Sequence, residues 1–587
     1  MAAEATKNQP RKNRRLSSGL IILGCCMFII ASHNFFYHDV FEKMLLESGG
    51  DAPDAWAPPT KDRRNGIAPG GEGGALPALG GVDSEGFHPL AGIDCAPHGG
   101  PANADASEMV FWSDIESDSK YRSPFHRTES PQYLTFEPDH GGWNNIRMAM
   151  ETVLVLAHAT GRTLVLPPES KIYLLGNDSG KHKTDFTFND FFHLDSIASE
   201  HDGIDVITME EFLAKEGMAG NLKDSVGNVR TPPGDRVDWN GESHTELNKY
   251  LRAVGTHPHG WNPSDCVVGI PVSRDPSDIK ALRDTMEKIL LEKLPDNEKD
   301  YDGKPTPVDA PVVDRLKEML SGRDKLCVYD QKLQDTLLMH MKVDHNDDSR
   351  LLTHFYAFLF FQSYMDDLYY KRFIRDHVRY IDEIVCAAAR IVTSLRAQAR
   401  AIGNNNPNGV YDSMHVRRGD FQYKQTRIPA EEILSISKEE LEEGSVLFIA
   451  TDERDKTFFK PIKERYSVFF LDDFLHEIEG INSNFYGMID QLVASKGRIF
   501  FGTWWSTLSG YVNRMRGYYI AKHQLPGHED GTMESYYFVP EGRRDQMRAY
   551  KPVKKPIYMR EFPTAWRDID KGIEAIHDEN ARQFSAK

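Results

Sequence analysis

The residues with the clearest chemical potential in this chain lie in one short segment, Ser413–Phe421, which reads SMHVRRGDF. It places His415, Arg417, Arg418 and Asp420 where a strand is predicted to end. Ligands bind at the strand ends of open α/β sheets, and guanidinium groups make bidentate, charge-assisted contacts to phosphate oxygens. The segment therefore predicts a diphosphate site. A structural Arg–Asp pair that closes the strand is the alternative interpretation.

A second candidate is Gly502–Thr507 (GTWWST), which lies between a predicted strand and a predicted helix. Free N–H groups and the helix dipole favour a phosphate at such a helix start. The hydroxyls of Ser506 and Thr507 can bind a phosphate oxygen or simply cap the helix. Because Arg417 ends a neighbouring predicted strand, the two segments together favour the diphosphate interpretation.

Two aspartates are candidates for recognising a base. Asp452 follows a predicted strand, and Asp490 lies on the helix before the last predicted strand. A carboxylate accepts two parallel hydrogen bonds from the N1–H and N2–H₂ groups of guanine, whereas adenine lacks that pair of donors. Either aspartate can do this, and a solvated or helix-capping aspartate is the structural alternative.

The sequence GGWNN, from Gly141 and Gly142 to Asn144 and Asn145, predicts a turn from a strand into a helix. The two glycines let a backbone approach a ligand closely. The asparagines then lie beside that ligand, although Asn144 can also be a simple N-cap.

The residues Glu137, Asp139 and His140 precede this turn and are candidate proton acceptors. An isolated histidine is more often structural, so His140 also has that interpretation. Metal chemistry is not expected, because no His-Glu-x-x-His motif occurs and Asp568–Asp570 has no predicted strand before it. The sequence predicts neither a metal nor a cofactor.

The elements around these residues alternate between strands and helices. The first unit comprises a strand at 132–136, a helix at 144–160 and a strand at 163–166. Residues 351–402 are predicted to be mostly helical. Later strands are predicted at 410–416, 445–450, 467–471 and 498–502, and helices at 455–465, 483–496 and 506–516. Such alternation implies parallel sheets with covered faces.

The net charge and one apolar segment of the chain indicate which partners and which location to expect. The chain has 587 residues and a net charge of −18, which argues against a nucleic-acid partner, since such proteins usually carry a basic domain. Residues 16–37 are mainly apolar, are long enough to span a bilayer and follow a basic tail, residues 1–15. This predicts an uncleaved signal anchor with the bulk of the chain outside or lumenal, and a cleaved signal peptide is the alternative.

Residues 38–110 are rich in Gly, Pro, Ala and Asp and predict a flexible stem. The spacing of the cysteines outside the predicted anchor fits no zinc-binding pattern. These cysteines are Cys95, Cys266, Cys327 and Cys386. One or two disulfides are expected, with Cys266–Cys327 as the first candidate and the connectivity left open. Asn177 carries a predicted N-glycosylation sequon.

The predicted fold class is α/β, with two Rossmann-like domains that face each other. The N-terminal domain comprises residues 111–403 and the C-terminal domain residues 404–540. The break NNNPNG at 404–409 separates them, and residues 541–587 form a C-terminal extension.

Three separated blocks resemble the GDP-fucose protein O-fucosyltransferase superfamily, which also includes α1,6-fucosyltransferases. The chain looks like a fungal or oomycete-type member. The blocks are Gly141–Arg147 with Thr160–Pro168, then His415–Asp420, then Asp490 with Phe501–Leu508. The resemblance extends over residues 132–519.

The resemblance implies a GT-B glycosyltransferase fold, with the donor nucleotide in the C-terminal domain and the acceptor in the cleft. It implies transfer of fucose from GDP-fucose to a protein or glycan hydroxyl, with inversion and without a metal. Combined with the predicted signal anchor, this interpretation predicts a single-pass type II protein of the Golgi or endoplasmic reticulum membrane. Alternatives are a transferase for another nucleotide sugar and a catalytically inactive lumenal binding protein.

The resemblance further assigns roles to individual residues. Arg417 is expected to hold the β-phosphate and to act catalytically, His415 to help place the nucleotide, and Asp490 to recognise guanine ahead of Asp452. The other residues expected at the donor or sugar are Asp420, Ser506, Thr507, Gly141, Gly142, Asn144 and Asn145.

One departure from the family concerns the catalytic base. Some members carry a glutamate in the first glycine-rich loop, at the position that Gly141 occupies here. His140 is the substitute base that the sequence offers.

Overall fold

The structure is a computed structural model of the 587-residue chain. It describes residues 92–538 together with 566, 569 and 570, apart from gaps at 114, 140, 174, 176–183, 195, 264, 293–305, 321–322, 324, 344–350, 352, 403–405, 420–423 and 526–533. All described residues belong to one of the two units of the chain, Asp83–Lys587. The other unit, Met1–Val82, lies outside the described residues.

The described strands are, in chain order, β1 (Tyr133–Phe136), β2 (Thr163–Leu166), β3 (Ser170–Lys171), β4 (Asp185–Phe186), β5 (Val206–Thr208), β6 (Cys266–Ile270), β7 (Lys325–Val328), β8 (Leu338–Met341), β9 (Leu359–Phe361), β10 (Asp412–Val416), β11 (Val446–Thr451), β12 (Ser467–Phe469), β13 (Phe500–Gly502) and β14 (Ser535–Tyr537). The described α-helices are α1 (Asn103–Ala106), α2 (Glu116–Ser119), α3 (Trp143–Ala159), α4 (Ile197–Glu200), α5 (Met209–Phe212), α6 (Thr245–Val254), α7 (Pro276–Leu291), α8 (Val312–Leu320), α9 (Gln331–Gln334), α10 (Tyr364–His377), α11 (Asp382–Ile402), α12 (Ala430–Ser437), α13 (Lys460–Lys463), α14 (Tyr486–Ser495) and α15 (Thr507–Lys522). Further helical turns of the 3-10 or π type lie at Ser107–Met109, Phe188–Asp190, Leu213–Gly217, Pro233–Asp235, Phe355–Ala357, Lys424–Thr426, Lys456–Phe459, Leu471–Ile478 and Ser483–Phe485.

The N-terminal half is built on a four-stranded parallel sheet with the order β5-β2-β1-β8. The strand order reverses between β1 and β8, and ligands of doubly wound sheets bind outside the carboxyl ends of the strands at such a point. A three-stranded parallel sheet, β7-β6-β9, belongs to the same half.

The C-terminal half contains a five-stranded parallel sheet with the order β12-β11-β10-β13-β14. Its order reverses between β10 and β13. Successive residues of β11 pack into different apolar cores, Phe448 into one and Ile449 into the other. Both faces of the sheet are therefore covered, as is usual for parallel sheets. The predicted α/β class with parallel sheets is confirmed.

Some element predictions differ from the structure. β9 lies in a region that the sequence predicts as mostly helical, because a short apolar run fits a strand or a helix equally well. The helix predicted at 455–465 divides into a 3-10 turn at Lys456–Phe459 and helix α13. Pro461 occupies the first turn of α13, where its missing N–H leaves no helical hydrogen bond unmade.

The predicted stem is wrong at its C-terminal end, because the structure holds residues 92–110 on the fold. Cys95 forms a disulfide with Cys386 of α11. Arg396 of the same helix forms an ion pair with Glu108, with 2.6 Å between Nη1 and Oε1. Composition alone cannot reveal this attachment, since a disulfide depends on a partner far along the chain.

A second disulfide joins Cys266 of β6 to Cys327 of β7, which are adjacent strands. The predicted Cys266–Cys327 pair is therefore confirmed. Asn177 lies outside the described residues, so its glycosylation stays a prediction.

The predicted location needs a correction. In the part of the chain that the structure describes, no helix is long and apolar enough to cross a membrane. This finding contradicts the prediction of a single-pass type II protein of the Golgi or endoplasmic reticulum membrane. The segment predicted as the anchor, residues 16–37, lies outside the described residues.

A C-terminal segment packs against both halves of the fold. Trp566 is 1% exposed and lies under the guanidinium of Arg514 from α15, 4.5 Å from ring centroid to Cζ. Arg372 of α10 donates to the carbonyl of Ile569 at 2.6 Å, and Arg375 donates to Oδ1 of Asp570 at 2.8 Å. Asp570 thus has a structural partner in Arg375.

Candidate functional site

Arg417 lies directly after β10, at the reversal point of the C-terminal sheet. Its Nε is 3.1 Å from Oδ2 of Asp452, which follows the neighbouring strand β11. Its main-chain N–H donates to Oγ1 of Thr503, which follows β13 on the other side, at 3.0 Å. The residue is therefore held from both neighbouring strands at the place where an open α/β sheet binds its ligand.

Arg418 has a different environment. Its Nε donates to Glu453 at 2.9 Å and its Nη1 to the carbonyl of Ile428 at 3.0 Å. Its guanidinium also lies over the ring of Phe458 at 3.8 Å. The predicted partner, Asp420, lies outside the described residues, and Glu453 is the acid that the structure pairs with Arg418. These contacts fit a structural residue.

Both carboxylate oxygens of Asp452 have partners. Oδ2 pairs with Arg417, and Oδ1 accepts the main-chain N–H of Arg418 at 2.7 Å. A side chain at Gly419 would place its Cβ 2.6 Å from Oδ2 of Asp452, so only glycine fits there without a shift. Asp452 therefore orders the loop after β10, which leaves it poorly suited to recognising a base.

His415 is buried near the end of β10, two residues before Arg417. Its Nδ1 lies 2.7 Å from Oγ of Ser509 on α15. Burial lowers the pKa of His415 to about 3, Asp452 opposes that shift and Arg417 adds to it. The imidazole is therefore neutral at physiological pH and can offer one donor and one acceptor.

The start of α15 holds the predicted phosphate-binding residues. Ser506 is the N-cap residue, and its side chain makes no capping hydrogen bond. Thr507 donates from Oγ1 to Oδ1 of Asn145 at 3.0 Å, which connects the two halves of the fold. Trp505, just before them, has a φ of 66°. That value is uncommon for a residue other than glycine, and such backbone strain concentrates at functional sites.

Asp490 lies on α14, which contacts β10 and β11. Burial raises the pKa of its carboxyl well above the usual range, Lys456 opposes this and Asp472 adds to it. The oxygen Oδ1 is buried and has no hydrogen-bond partner among the described residues. A buried acceptor without a partner is costly, which favours a ligand that supplies donors to it.

The glycine-rich loop of the N-terminal half reaches the same region. Gly142, rather than Asn144, is the N-cap residue of α3. Asn144 accepts through Oδ1 from Nε2 of Gln491 at 2.8 Å, and Asn145 accepts from Thr507. Both asparagines thus bridge to the C-terminal half beside Asp490 and the start of α15.

The candidate bases differ in their environments. Glu137 receives two hydrogen bonds from Arg252, at 2.5 and 2.6 Å, and lies 3.2 Å from Nε2 of His340. Although burial raises its pKa, the hydrogen bonds from Arg252 and His340 lower it to about 2. Glu137 is therefore a structural anion. Asp139 is buried and accepts the N–H of Gly141 at 2.7 Å, and His140 lies outside the described residues.

Thr503 and Ser509 are site residues that the sequence pattern does not indicate. Thr503 donates from Oγ1 to the carbonyl of His415 at 2.8 Å, and its N–H donates to Oγ of Ser509 at 2.9 Å. The available signal is position, since Thr503 follows directly on a predicted strand that neighbours the one before Arg417.

A buried ion network joins the two halves behind the site. Glu151 of α3 accepts from Arg147 on the same helix and from Arg514 of α15, the latter at 2.6 and 2.9 Å. All three side chains are at most 1% exposed. Burial, and then Arg514 and Arg147, lowers the pKa of His354 well below its usual range, so this neighbour stays uncharged.

The two loop glycines give a matched test of the geometry. A Cβ at Gly141 would lie 2.5 Å from Nδ2 of Asn145 and 2.8 Å from Oδ1 of Asp139, whereas a Cβ at Gly142 meets nothing within 4 Å. We expect Gly141→Ala to cost about 1–3 kcal/mol of unfolding free energy by overpacking. Turnover should fall as well, because Asn145 must move.

Gly142→Ala is the control for that substitution. Its φ of −64° and ψ of 163° suit any residue, so the loss should stay within the few tenths to about 1 kcal/mol of a poorer N-cap. Denaturant unfolding and turnover of both variants provide the comparison. Equal losses in the two variants would contradict the close approach of Gly141 to Asn145.

No group of three or more His, Cys, Asp or Glu side chains is arranged to hold a metal ion among the residues that the structure describes.

Comparisons with known proteins give the following findings. A model of the GDP-fucose protein O-fucosyltransferase family matches residues 133–519. The solved structure of POFUT1 in complex with GDP is similar, with 14% identity, coverage of 70% of this chain and 100% of that chain, and a TM-score of 0.30. NodZ alpha-1,6-fucosyltransferase soaked with GDP-fucose is similar at 12% identity, with coverage of 67% and 94% and a TM-score of 0.29. NodZ from Bradyrhizobium gives 12% identity, coverage of 63% and 88% and a TM-score of 0.26. The comparison with curated proteins gives no match.

Proposed function

The chain belongs to the GDP-fucose protein O-fucosyltransferase family and is a GDP-fucose-dependent fucosyltransferase, and we propose that it transfers fucose to a hydroxyl of a protein or glycan with inversion and without a metal ion. The observation that carries this proposal is the position of Arg417. It lies at the reversal point of a parallel sheet, and its N–H donates to Thr503, which lies between β13 and the start of α15. We also propose that the two sheets form a GT-B cleft, which is supported by the bonds from Asn144 to Gln491 and from Asn145 to Thr507.

The donor is proposed to bind with its diphosphate at Arg417 and at the start of α15. A guanidinium suits phosphate oxygens, and free N–H groups at a helix start attract an anion. The Ser506 side chain makes no capping hydrogen bond, so its hydroxyl can contribute. Asp490 is proposed to accept the two donors of guanine, because its Oδ1 is buried without a partner among the described residues.

The proposed reaction breaks the bond between C1 of fucose and the β-phosphate oxygen, and the electron pair stays on GDP. A new bond forms between C1 and the acceptor oxygen on the opposite face of the sugar. Negative charge therefore grows on the β-phosphate in the transition state, and Arg417 stabilises it there more than in the bound donor. This charge stabilisation is what we propose the chain supplies in place of a metal ion.

The proton of the acceptor hydroxyl must pass to a base. Glu137 does not suit that task, because its ion pair with Arg252 and its pKa of about 2 make it a weak base. Asp139 and His140 are the remaining candidates from the loop before α3.

The role of Asp490 can be tested with nucleotides alone. We expect GDP to raise the melting temperature of the chain more than UDP does, following RT ln(1 + [L]/Kd) for ligand bound to the folded state. Asp490→Asn should remove about 1–3 kcal/mol of GDP binding, as for loss of one bidentate base contact, and leave UDP binding unchanged. GDP binding by the unsubstituted chain should also weaken as pH falls through the raised pKa of Asp490, since only the ionised carboxylate accepts both guanine donors.

The ligand-free variant is the control for that experiment. Without ligand, Asp490→Asn should be no less stable at neutral pH, because burial opposes the charge that it removes. Equal shifts with GDP and UDP would reject guanine recognition and favour another nucleotide sugar. Strong GDP binding without turnover would instead favour a binding protein.

A further inference from the structure

We propose that Thr503 and Ser509 are positioning residues, which fix the main chain at Arg417 and hold His415 as the tautomer with its hydrogen on Nε2. This inference rests on the proposed function of the same site, because it explains how the groups that meet the diphosphate keep their places. Neither residue is proposed to touch the reacting atoms.

The hydroxyl of Thr503 connects the ends of two adjacent strands. Its Oγ1 accepts the N–H of Arg417 at 3.0 Å and donates to the carbonyl of His415 at 2.8 Å. Both directions are fixed, because a main-chain N–H can only donate and a carbonyl can only accept. Thr503 is buried, so water does not replace these bonds readily. The backbone that carries the Arg417 side chain is thereby held to β13.

Thr503 also connects to His415 by a second route, through its own main-chain N–H and the hydroxyl of Ser509. That N–H donates to Oγ of Ser509 at 2.9 Å, and the same oxygen lies 2.7 Å from Nδ1 of His415. Among the described residues, the structure gives the Ser509 hydroxyl no other partner. If the hydroxyl hydrogen of Ser509 forms a hydrogen bond, its acceptor is therefore Nδ1 of His415.

The protonation of His415 follows from this arrangement. A neutral imidazole carries one hydrogen, and if Nδ1 is the acceptor, that hydrogen is on Nε2. The burial that lowers the pKa of the ring keeps it neutral across the physiological range. His415 then offers a donor at Nε2 whose availability does not change with pH.

His415 and Arg417 are two residues apart along an extended segment, so their side chains lie on the same side of it. A neutral donor beside a guanidinium suits a diphosphate, since both contribute hydrogen bonds and only one contributes charge. The four contacts of Thr503 and Ser509 therefore fix the main chain at Arg417 and the orientation of the His415 ring.

The tautomer is tested directly on the ligand-free, full-length protein. Histidine-selective ¹⁵N labelling distinguishes an unprotonated Nδ1 from a protonated one, and His415→Gln identifies the signal of His415 by its disappearance. We expect an unprotonated Nδ1 and a protonated Nε2 at pH 6–8. A protonated Nδ1, or a ring that gains charge in this range, would overturn the proposal. This readout needs neither donor nor turnover, so it stays informative if the proposed function fails.

The positioning role is tested by a matched pair of substitutions. Thr503→Val keeps the shape and removes the hydroxyl, and we expect kcat to fall about 10- to 100-fold, as for a small misplacement of a catalytic group, with a smaller change in KM for the donor. Thr503→Ser keeps the hydroxyl and should restore most of that turnover. If both variants lose turnover equally while both remain folded, the hydroxyl of Thr503 does not position Arg417 and the proposal is wrong.

Discussion

Arg417→Lys is expected to reduce turnover about 100- to 1000-fold, by analogy with the removal of one donor to a developing negative charge. The guanidinium of Arg417 has its Nε 3.1 Å from Oδ2 of Asp452. That ion pair orients the group. A lysine ammonium at the same position has one charged nitrogen and cannot form a bidentate contact to phosphate oxygens. The loss should appear in kcat, because the contact strengthens as GDP departs.

Arg418→Lys is the matched control for that experiment. Its guanidinium contacts Glu453, the carbonyl of Ile428 and the ring of Phe458. These contacts predict a loss of stability with turnover largely retained by the folded fraction. Turnover with GDP-fucose and the melting temperature are measured for both variants. Normal turnover at 417 and a folded, inactive variant at 418 would exchange the two roles. Full activity in both would place the site elsewhere.

Glu151→Gln is expected to lower the free energy of unfolding by about 3–5 kcal/mol, the usual cost of removing one partner from a buried ion pair. The carboxylate of Glu151 is the acceptor that Arg147 and Arg514 share, and all three side chains are at most 1% exposed. Without its charge, two guanidiniums remain buried and lose their common counter-ion. Because the network joins α3 to α15, both halves of the fold should be affected.

Glu246→Gln provides the comparison on the surface. Glu246 pairs with Lys249 at 2.7 Å, but the two side chains are 62% and 67% exposed. Water screens such pairs, so the change should not exceed about 1 kcal/mol. Denaturant unfolding at neutral pH measures both variants. A loss below about 1 kcal/mol for Glu151→Gln would mean that water or another acid replaces the carboxylate, and the network would then not hold the halves together.

The sequence predicts four of the five strands of the C-terminal sheet, β10 to β13, because each of them combines an apolar run with a following break. The position of Arg417 after one strand, and that of Ser506 at the start of the helix after a neighbouring strand, follow from that pattern. β14 is not predicted, although its tyrosines favour a strand, because so short a run between charged stretches is easily overlooked.

The contacts between the halves lie beyond the reach of sequence patterns. Asn144 and Gln491 are 347 residues apart, and Asn145 and Thr507 are 362 apart. Periodicity reports on neighbours within one element and says nothing about such pairs. Asp452 illustrates the same limit, because its sequence context fits a base-recognising acid and a solvated or helix-capping acid, and only its contacts with Arg417 and Arg418 show that it orders a loop.

The C-terminal segment has a consequence for the order in which the chain assembles during synthesis. Arg372 and Arg514 come from different halves, and their final contacts include Ile569 and Trp566. Those contacts cannot form until the ribosome has translated past residue 570. Every other described element has by then been made, so both sheets can fold before the segment arrives. The contacts of this segment with the two halves are therefore the last of the described contacts that synthesis makes available.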